Sequence, residues 1–280
     1  MYLYTLMPFN IGIANGGPEV EMIMEDGTLG TPTQTGRFVI YSIGPHVNGA
    51  RWRNSAVPWG SPIRLSPHGY VEVKINNQWQ LLHNLPGWSE KYGNNPKGAR
   101  AKLKKEYGIL MQQLKPKYGL SDTDHWPADW EGDLPKTWVI NDFGRIAVKY
   151  FRDYYGNHRL DAGGQPGSPK EEVLGDFMHT TPASEVALVL DKKIINEGII
   201  VLSVSHGCIH MDPKFMQRWV ALGVLKVGAK LEIHPYSQLK LPPYFLRPQG
   251  QLGNEIHFFP GAQGIGLYHV TVQQTGYPLH

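Results

Sequence analysis

One cysteine occurs in the chain, Cys208, set in Val204-Ser205-His206-Gly207-Cys208-Ile209-His210-Met211 at the end of an apolar run from Gly198 to Val204 that reads as a buried strand. A free thiol is mostly protonated at neutral pH. It becomes a strong nucleophile when an imidazole or another positive group holds it as thiolate. His206 and His210 lie two residues away on either side, and a third imidazole, His179, lies upstream in Phe177-Met178-His179-Thr180-Thr181-Pro182. A lone thiol among small residues and imidazoles points to nucleophilic chemistry, with an inert buried cysteine as the plainer reading. His206-x-Cys208-x-His210 also has the look of a metal site, but no second cysteine or further ligand set completes a tetrahedral zinc centre. No metal and no cofactor is therefore expected.

With these residues the chain resembles the L,D-transpeptidases of bacterial cell-wall synthesis, whose catalytic domain is of the YkuD type. Their signature is an upstream histidine, a spacer, and Ser/Thr-His-Gly-Cys followed by an apolar and a polar residue, matched here by His179 and Ser205 to His210. Gly30-Thr31-Pro32-Thr33-Gln34-Thr35-Gly36-Arg37-Phe38 is similar to the family's Thr-Pro-Thr-Gly turn leading into a strand. The stretch to Leu222 followed by Gly223 to Ile233 is similar to its closing helix, glycine and strand. The spacer over 180–204 is longer than the family's, and His210 stands where many members carry Arg or Asn.

The resemblance implies an α+β fold with a mostly antiparallel β core, a sandwich of the L,D-transpeptidase kind with a few peripheral helices. It implies a catalytic domain over residues 1–235, with an inserted helical and loop segment at about 86–135 and a C-terminal extension at 236–280. Cys208 would attack an amide carbonyl, His179 would take the thiol proton and return it to the departing amine, and backbone N–H groups around Gly207 and Cys208 would hold the oxyanion. Thr180 or a backbone carbonyl would orient His179, and His206 would support the thiolate or the turn. Ser205, Thr180 and His210 would lie on the substrate side, with Ser205 bracing the loop. The donor would be a peptidoglycan stem peptide, carried as a thioester to another stem's amine, to a D-amino acid, or to water. Water as acceptor makes the same site an L,D-carboxypeptidase. The alternative from another class is a non-catalytic wall-binding or partner-binding protein that keeps the fold.

Composition fits this reading without requiring it. A net charge of +3 with no long basic run does not argue for nucleic acid, and one cysteine excludes an intramolecular disulfide framework. No segment has the roughly 18 apolar residues of a membrane helix, and Met1 to Pro8 shows no export signal. The expected place of action is the periplasm or cell wall, reached as a mature form or by signal-independent secretion, as an antibacterial effector would be. A delivery or immunity partner is not specified by the sequence.

The elements that must position these groups read as follows. Tyr2 to Met7, Glu19 to Met24 and Arg37 to Ile43, separated by Asn15-Gly16-Gly17 and Asp26-Gly27, form an antiparallel meander. Gly44 to Pro67 is a long loop, and Tyr70 to Lys74 pairs with Gln78 to Leu82 across Asn76-Asn77. Gly98 to Leu114 is an amphipathic helix with Leu103, Tyr107, Leu110, Met111 and Leu114 on one stripe. Thr137 to Phe151 returns to β character, with Ile146, Val148 and Tyr150 alternating after a turn at Asn141-Asp142-Phe143-Gly144. Ser168-Pro169-Lys170-Glu171 is an N-cap pattern, Ala183 to Leu190 is helical, and Asp212-Pro213 starts a helix whose N-terminal dipole could favour the thiolate. Pro242-Pro243 is a joint, followed by strands at Ile256 to Phe259 and Leu267 to Val272.

Overall fold

The protein is described by a computed structural model covering residues 2–50, 52–118, 130–131, 134–164, 167, 169–190, 200, 202–241, 244–247 and 253–272. Two compact units divide the chain, one from 1–43, 148–178 and 202–280, the other from 44–147 and 179–201. The fold is mixed α/β with a strand-dominated core.

The first unit is built on a closed sheet. Its strands are β1 (Tyr2–Asn15), β4 (Gly36–Gly44), β10 (Ala147–Phe151), β11 (Met178–His179), β12 (Ile209–Met211), β13 (Lys230–Ile233), β15 (Gly253–Phe259) and β16 (Gly264–Val272). They run in the order β12-β11-β10-β4-β13-β15-β16-β1, and β1 pairs back onto β12 through Ala14↔Met211 and Asn15↔His210, closing an eight-stranded barrel. β14 (Tyr244–Arg247) adds to the β1 edge, while β2 (Met22–Ile23) and β3 (Leu29–Gly30) form a separate small hairpin. The expected meander is therefore absent. β1 takes β16, β14 and β12 as partners, and β4 takes β13 and β10, so both strands pair with segments distant in the chain, while β2 and β3 pair locally across Asp26-Gly27.

Residues 253–272, beyond the segment the resemblance covers, supply two strands in the middle of this barrel, and β15 lies parallel to β13. Leu231 and Ile233 pair with Ile256 and Phe258, all buried, which gives these strands one continuous apolar face. Helix α4 (Pro213–Ala221) belongs to the same unit. Pro213 sits at its first turn, the Asp212 carboxylate caps the Lys214 and Phe215 N–H groups, and Met216 and Trp219 are fully buried.

One expectation changes here. At 169–172 no helix forms. Glu171 is wholly buried, and its carboxylate accepts N–H groups from Tyr154 (2.7 Å) and Asp161 (2.8 Å), so the pattern read as a helix cap is a loop clasp. The turn expected at Asn141 to Gly144 forms, with Gly144 at φ +59° and its N–H donating to Asn141 O (2.9 Å), and the strand that follows it is Ala147–Phe151.

The second unit holds β5 (Ile63–Leu65), β6 (Val71–Ile75), β7 (Gln78–Leu81), β8 (Trp130–Glu131), β9 (Leu134–Pro135), and helices α1 (Trp88–Tyr92), α2 (Pro96–Tyr118) and α3 (Pro182–Leu190). Asn76 and Asn77 both have positive φ, as the β6–β7 hairpin requires. The expected stripe of α2 is buried at Leu103, Tyr107, Leu110 and Leu114, packed with Trp88, Trp138, Val71, Val73 and Leu82. The Tyr107 hydroxyl donates to Thr137 O and accepts from Val139 N–H, so the buried phenol is satisfied. The segment read as an insertion at 86–135 thus contributes to the core of a larger unit that begins at Gly44. The stretch read as a long loop, 44–67, contains a 3₁₀ turn at Arg53–Ala56 and strand β5.

Candidate active site

Cys208 lies at the end of a tight loop just before β12 and is partly exposed. Ile209 N–H donates to Phe177 O (2.8 Å), which starts the pairing of β12, and Phe177 N–H donates to the Cys208 sulfur (3.4 Å). A backbone N–H aimed at sulfur favours the anionic form. The loop is braced internally. Ser205 is 1% exposed, its hydroxyl donates to Cys208 O and accepts from Gly207 N–H (3.1 Å), and its own N–H donates to Gly16 O (2.9 Å). The Ser205 hydroxyl, expected on the substrate side, is engaged inside the loop. So is the Gly207 N–H, one of the expected oxyanion donors.

Gly207 has φ +132°, and a Cβ there would lie 3.0 Å from both Asp176 Oδ1 and Thr31 Oγ1. Thr31 Oγ1 donates to His206 O (3.0 Å), and a Cβ on Gly17 would meet Thr31 O at 2.0 Å and Gly207 at 3.1 Å. Gly17 N–H donates to Thr33 Oγ1 (2.9 Å), and the Tyr236 hydroxyl donates to Gly17 O (2.8 Å). Gly17, Thr31 and Gly207 thus approach at backbone distance, with Thr33 and Tyr236 behind them. Sequence reading assigned Gly16-Gly17 and Thr31 to Thr33 to turns. Only the fold shows that these turns buttress the thiol loop.

The two neighbouring imidazoles are held elsewhere. His206 Nε2 lies 2.6 Å from Thr28 Oγ1 and 3.2 Å from Asp26 Oδ2. The single hydroxyl proton of Thr28 goes to Asp26 Oδ1 (2.7 Å), so the His206 nitrogen is the donor to Thr28. The Thr28 hydroxyl and N–H, with His206, hold the Asp26 carboxyl below its ordinary range. His210, on β12, donates from Nδ1 to Ser203 O (2.8 Å).

His179 ends β11 and begins the second unit's share of this part of the chain. It is 4% exposed, and its Nδ1 lies 2.7 Å from Thr180 O. A carbonyl can only accept, so Nδ1 carries the proton, and in the neutral ring Nε2 is the basic nitrogen. The Phe143 ring lies edge-on to the imidazole, 4.9 Å between centroids. Thr180 is 1% exposed, so its carbonyl orients the histidine while its side chain points into the protein interior.

The three residues of β12 separate Cys208 from Asp212, about 13 Å of extended chain, and the Asp212 carboxylate accepts from the first N–H groups of α4. The observed N–H partner of the sulfur is Phe177.

A second group of titratable residues went unnoticed in the sequence: Glu232 and His234 on one chain segment, Glu255 and His257 on β15. His234 Nδ1 meets Gln238 Oε1 (3.2 Å), which leaves its Nε2 to accept from His257 Nδ1 (2.9 Å). Glu255 Oε2 lies 3.4 Å from His257 Nε2, and burial lowers the His234 pKa. The ring centroids are 5.2 Å apart with planes 16° from parallel, so the two nitrogens point at each other. Glu232, His234 and His257 lie close enough together to share one ion, and here the two imidazoles are hydrogen-bonded to each other.

Among the described residues, no helix is long and apolar enough to cross a membrane. No protein-family model, no curated protein and no solved structure matches the chain.

Proposed function

We propose that the protein is a cysteine acyltransferase of the L,D-transpeptidase type, acting on peptidoglycan stem peptides in the cell wall. The observation that carries this reading is the setting of Cys208: a partly exposed thiol on a rigidly braced loop, its sulfur accepting the N–H of Phe177, two residues before a histidine with a fixed tautomer. The reading extends to the fold, with the strand-rich closed core as the counterpart of the family's sandwich.

In the proposed reaction the thiol proton passes to His179 Nε2 and the Cys208 sulfur attacks the amide carbonyl, forming a C–S bond and a tetrahedral oxyanion. Collapse breaks the C–N bond, and His179 returns the proton to the departing amine. The thioester then transfers its acyl group to an acceptor amine or to water, with His179 taking the acceptor's proton. Thr180 O steadies the imidazolium formed at each stage, since its bond from Nδ1–H strengthens when the ring is charged.

The test is covalent labelling. Incubation with a carbapenem should add one β-lactam mass to the intact protein and none to Cys208→Ala, and purified sacculi should show altered stem peptides. A wild-type protein that gains no mass and leaves sacculi unchanged overturns the proposal and favours the non-catalytic binding alternative.

A further inference from the structure

We infer that Glu185 is the positioning residue for the base His179, acting through Thr180; the inference rests on the acyltransferase reading above. Glu185 lies in the first turn of α3, where an acidic side chain ordinarily serves the helix N-terminus. Here that work is done by others. Thr181 Oγ1 accepts Ser184 N–H (3.1 Å) and Ser184 Oγ accepts Thr181 N–H (3.0 Å), a reciprocal cap that leaves Glu185 outside it. Glu185 instead turns inward and is 1% exposed. A carboxylate so buried is costly unless hydrogen bonds and charge oppose it. Its Oε1 accepts the Thr180 hydroxyl (2.7 Å) and Arg145 N–H (3.3 Å), and Arg145 Nε stands 3.7 Å from Oε2.

Thr180 is the residue whose carbonyl sets the His179 tautomer. Its backbone has little freedom, because a Cβ on Gly144 would lie 2.1 Å from Thr180 Oγ1 and 3.0 Å from its carbonyl carbon and oxygen. Gly144 therefore closes one side of Thr180 and Glu185 anchors the other, while Phe143, next to Gly144, packs against the imidazole. The Thr180 peptide plane, and with it the direction of His179 Nε2, is fixed by a chain of three contacts, of which Glu185 supplies the only charged member. Sequence reading passed over Glu185 because a glutamate in a helix's first turn is unremarkable on its own.

The experiment uses the full chain and measures carbapenem acylation as separate rate and affinity constants, kinact and KI, for Glu185→Ala, Glu185→Gln, Thr180→Val and Thr180→Ser. Misdirecting a general base should cost about 10- to 100-fold in kinact with KI unchanged. Glu185→Ala and Thr180→Val should show that loss, their combination should be no worse than either alone, and Glu185→Gln and Thr180→Ser should recover most of the rate. Wild-type kinact in Glu185→Ala, or additive losses in the double variant, overturns the inference. Should Glu185→Ala fail to fold, the Thr180→Val and Thr180→Ser pair carries the same comparison. A wild-type protein that resists acylation counts against the acyltransferase reading, and the positioning claim is then decided by ¹⁵N NMR of His179. Nδ1-protonated tautomer in the wild type and a mixture in Glu185→Ala or Thr180→Val sustains it; identical spectra refute it.

Discussion

Replacing Gly207 by alanine puts the packing of the thiol loop to a direct test. At φ +132° an L side chain is strained, costing about 1–3 kcal/mol. The new methyl would also sit 3.0 Å from Asp176 Oδ1 and Thr31 Oγ1, so both must give by a few tenths of an ångström. Thr31 cannot move without disturbing its bond to His206 O or the backbone approach of Gly17, and each neighbour is itself tied. Gly228 is the matched control: it has φ +83°, lies in the turn before β13, and a Cβ there meets nothing within 4 Å. Both variants carry backbone strain, and only Gly207→Ala adds the clash. At about 2–4 °C per kcal/mol for a domain of 150–250 residues, strain alone should lower Tm by about 2–12 °C in either variant, and Gly207→Ala should fall further than Gly228→Ala because only it adds the clash. Displacement of the sulfur from its approach line should slow carbapenem acylation by about tenfold or more in Gly207→Ala, with Gly228→Ala matching wild type. Thermal unfolding and acylation kinetics measure both effects. Equal behaviour of the two variants would show that the Gly17, Thr31 and Gly207 contact does not hold the loop.

His179→Ala should reduce acylation by about 10²- to 10⁴-fold while Tm changes little by comparison, and a rate near wild type would move the base elsewhere. Asp212→Ala should cost about 1 kcal/mol of stability through loss of the α4 cap, with acylation unchanged; a large kinetic effect would return the helix terminus to the thiolate's environment. Burial holds the Asp142 carboxyl above its ordinary value of 3.8. Its stabilising contribution is therefore complete below that value and lost as pH rises through the raised folded pKa. Asp142→Asn should accordingly unfold at a higher temperature than wild type near neutral pH, and the difference should close as pH falls toward 3.8. A constant difference across that range would refute the burial argument.

The α2 stripe, the Asn76-Asn77 hairpin, α3, the Asp212-Pro213 helix start and the tail strands were legible because each is a local pattern. Period, turn chemistry and capping act over a few residues, and the sequence displays all of them. The residues at 169–171 show where such reading stops. Ser-Pro-x-Glu is written like a helix start, yet Glu171 is more useful to the fold as a buried acceptor for Tyr154 and Asp161 than as a cap. The same limit hid Glu185 and the His234 and His257 pair, whose significance lies in neighbours that are far away in sequence or ordinary in type.

Sequence by itself settled the chemical candidates: one thiol, three nearby imidazoles and the glycines that let a backbone turn sharply. It could not settle strand partners, since β1 and β4 carry alternation that is satisfied by any edge of suitable register. Only the closed sheet chose β12, β14 and β16 for the one and β10 and β13 for the other. That choice sets Phe177 N–H against the sulfur, presses Thr31 onto Gly207, and ties His206 to the turn at Asp26 and Thr28. The roles of the candidate residues are set by long-range pairing, because a side chain's protonation and freedom depend on what surrounds it in space.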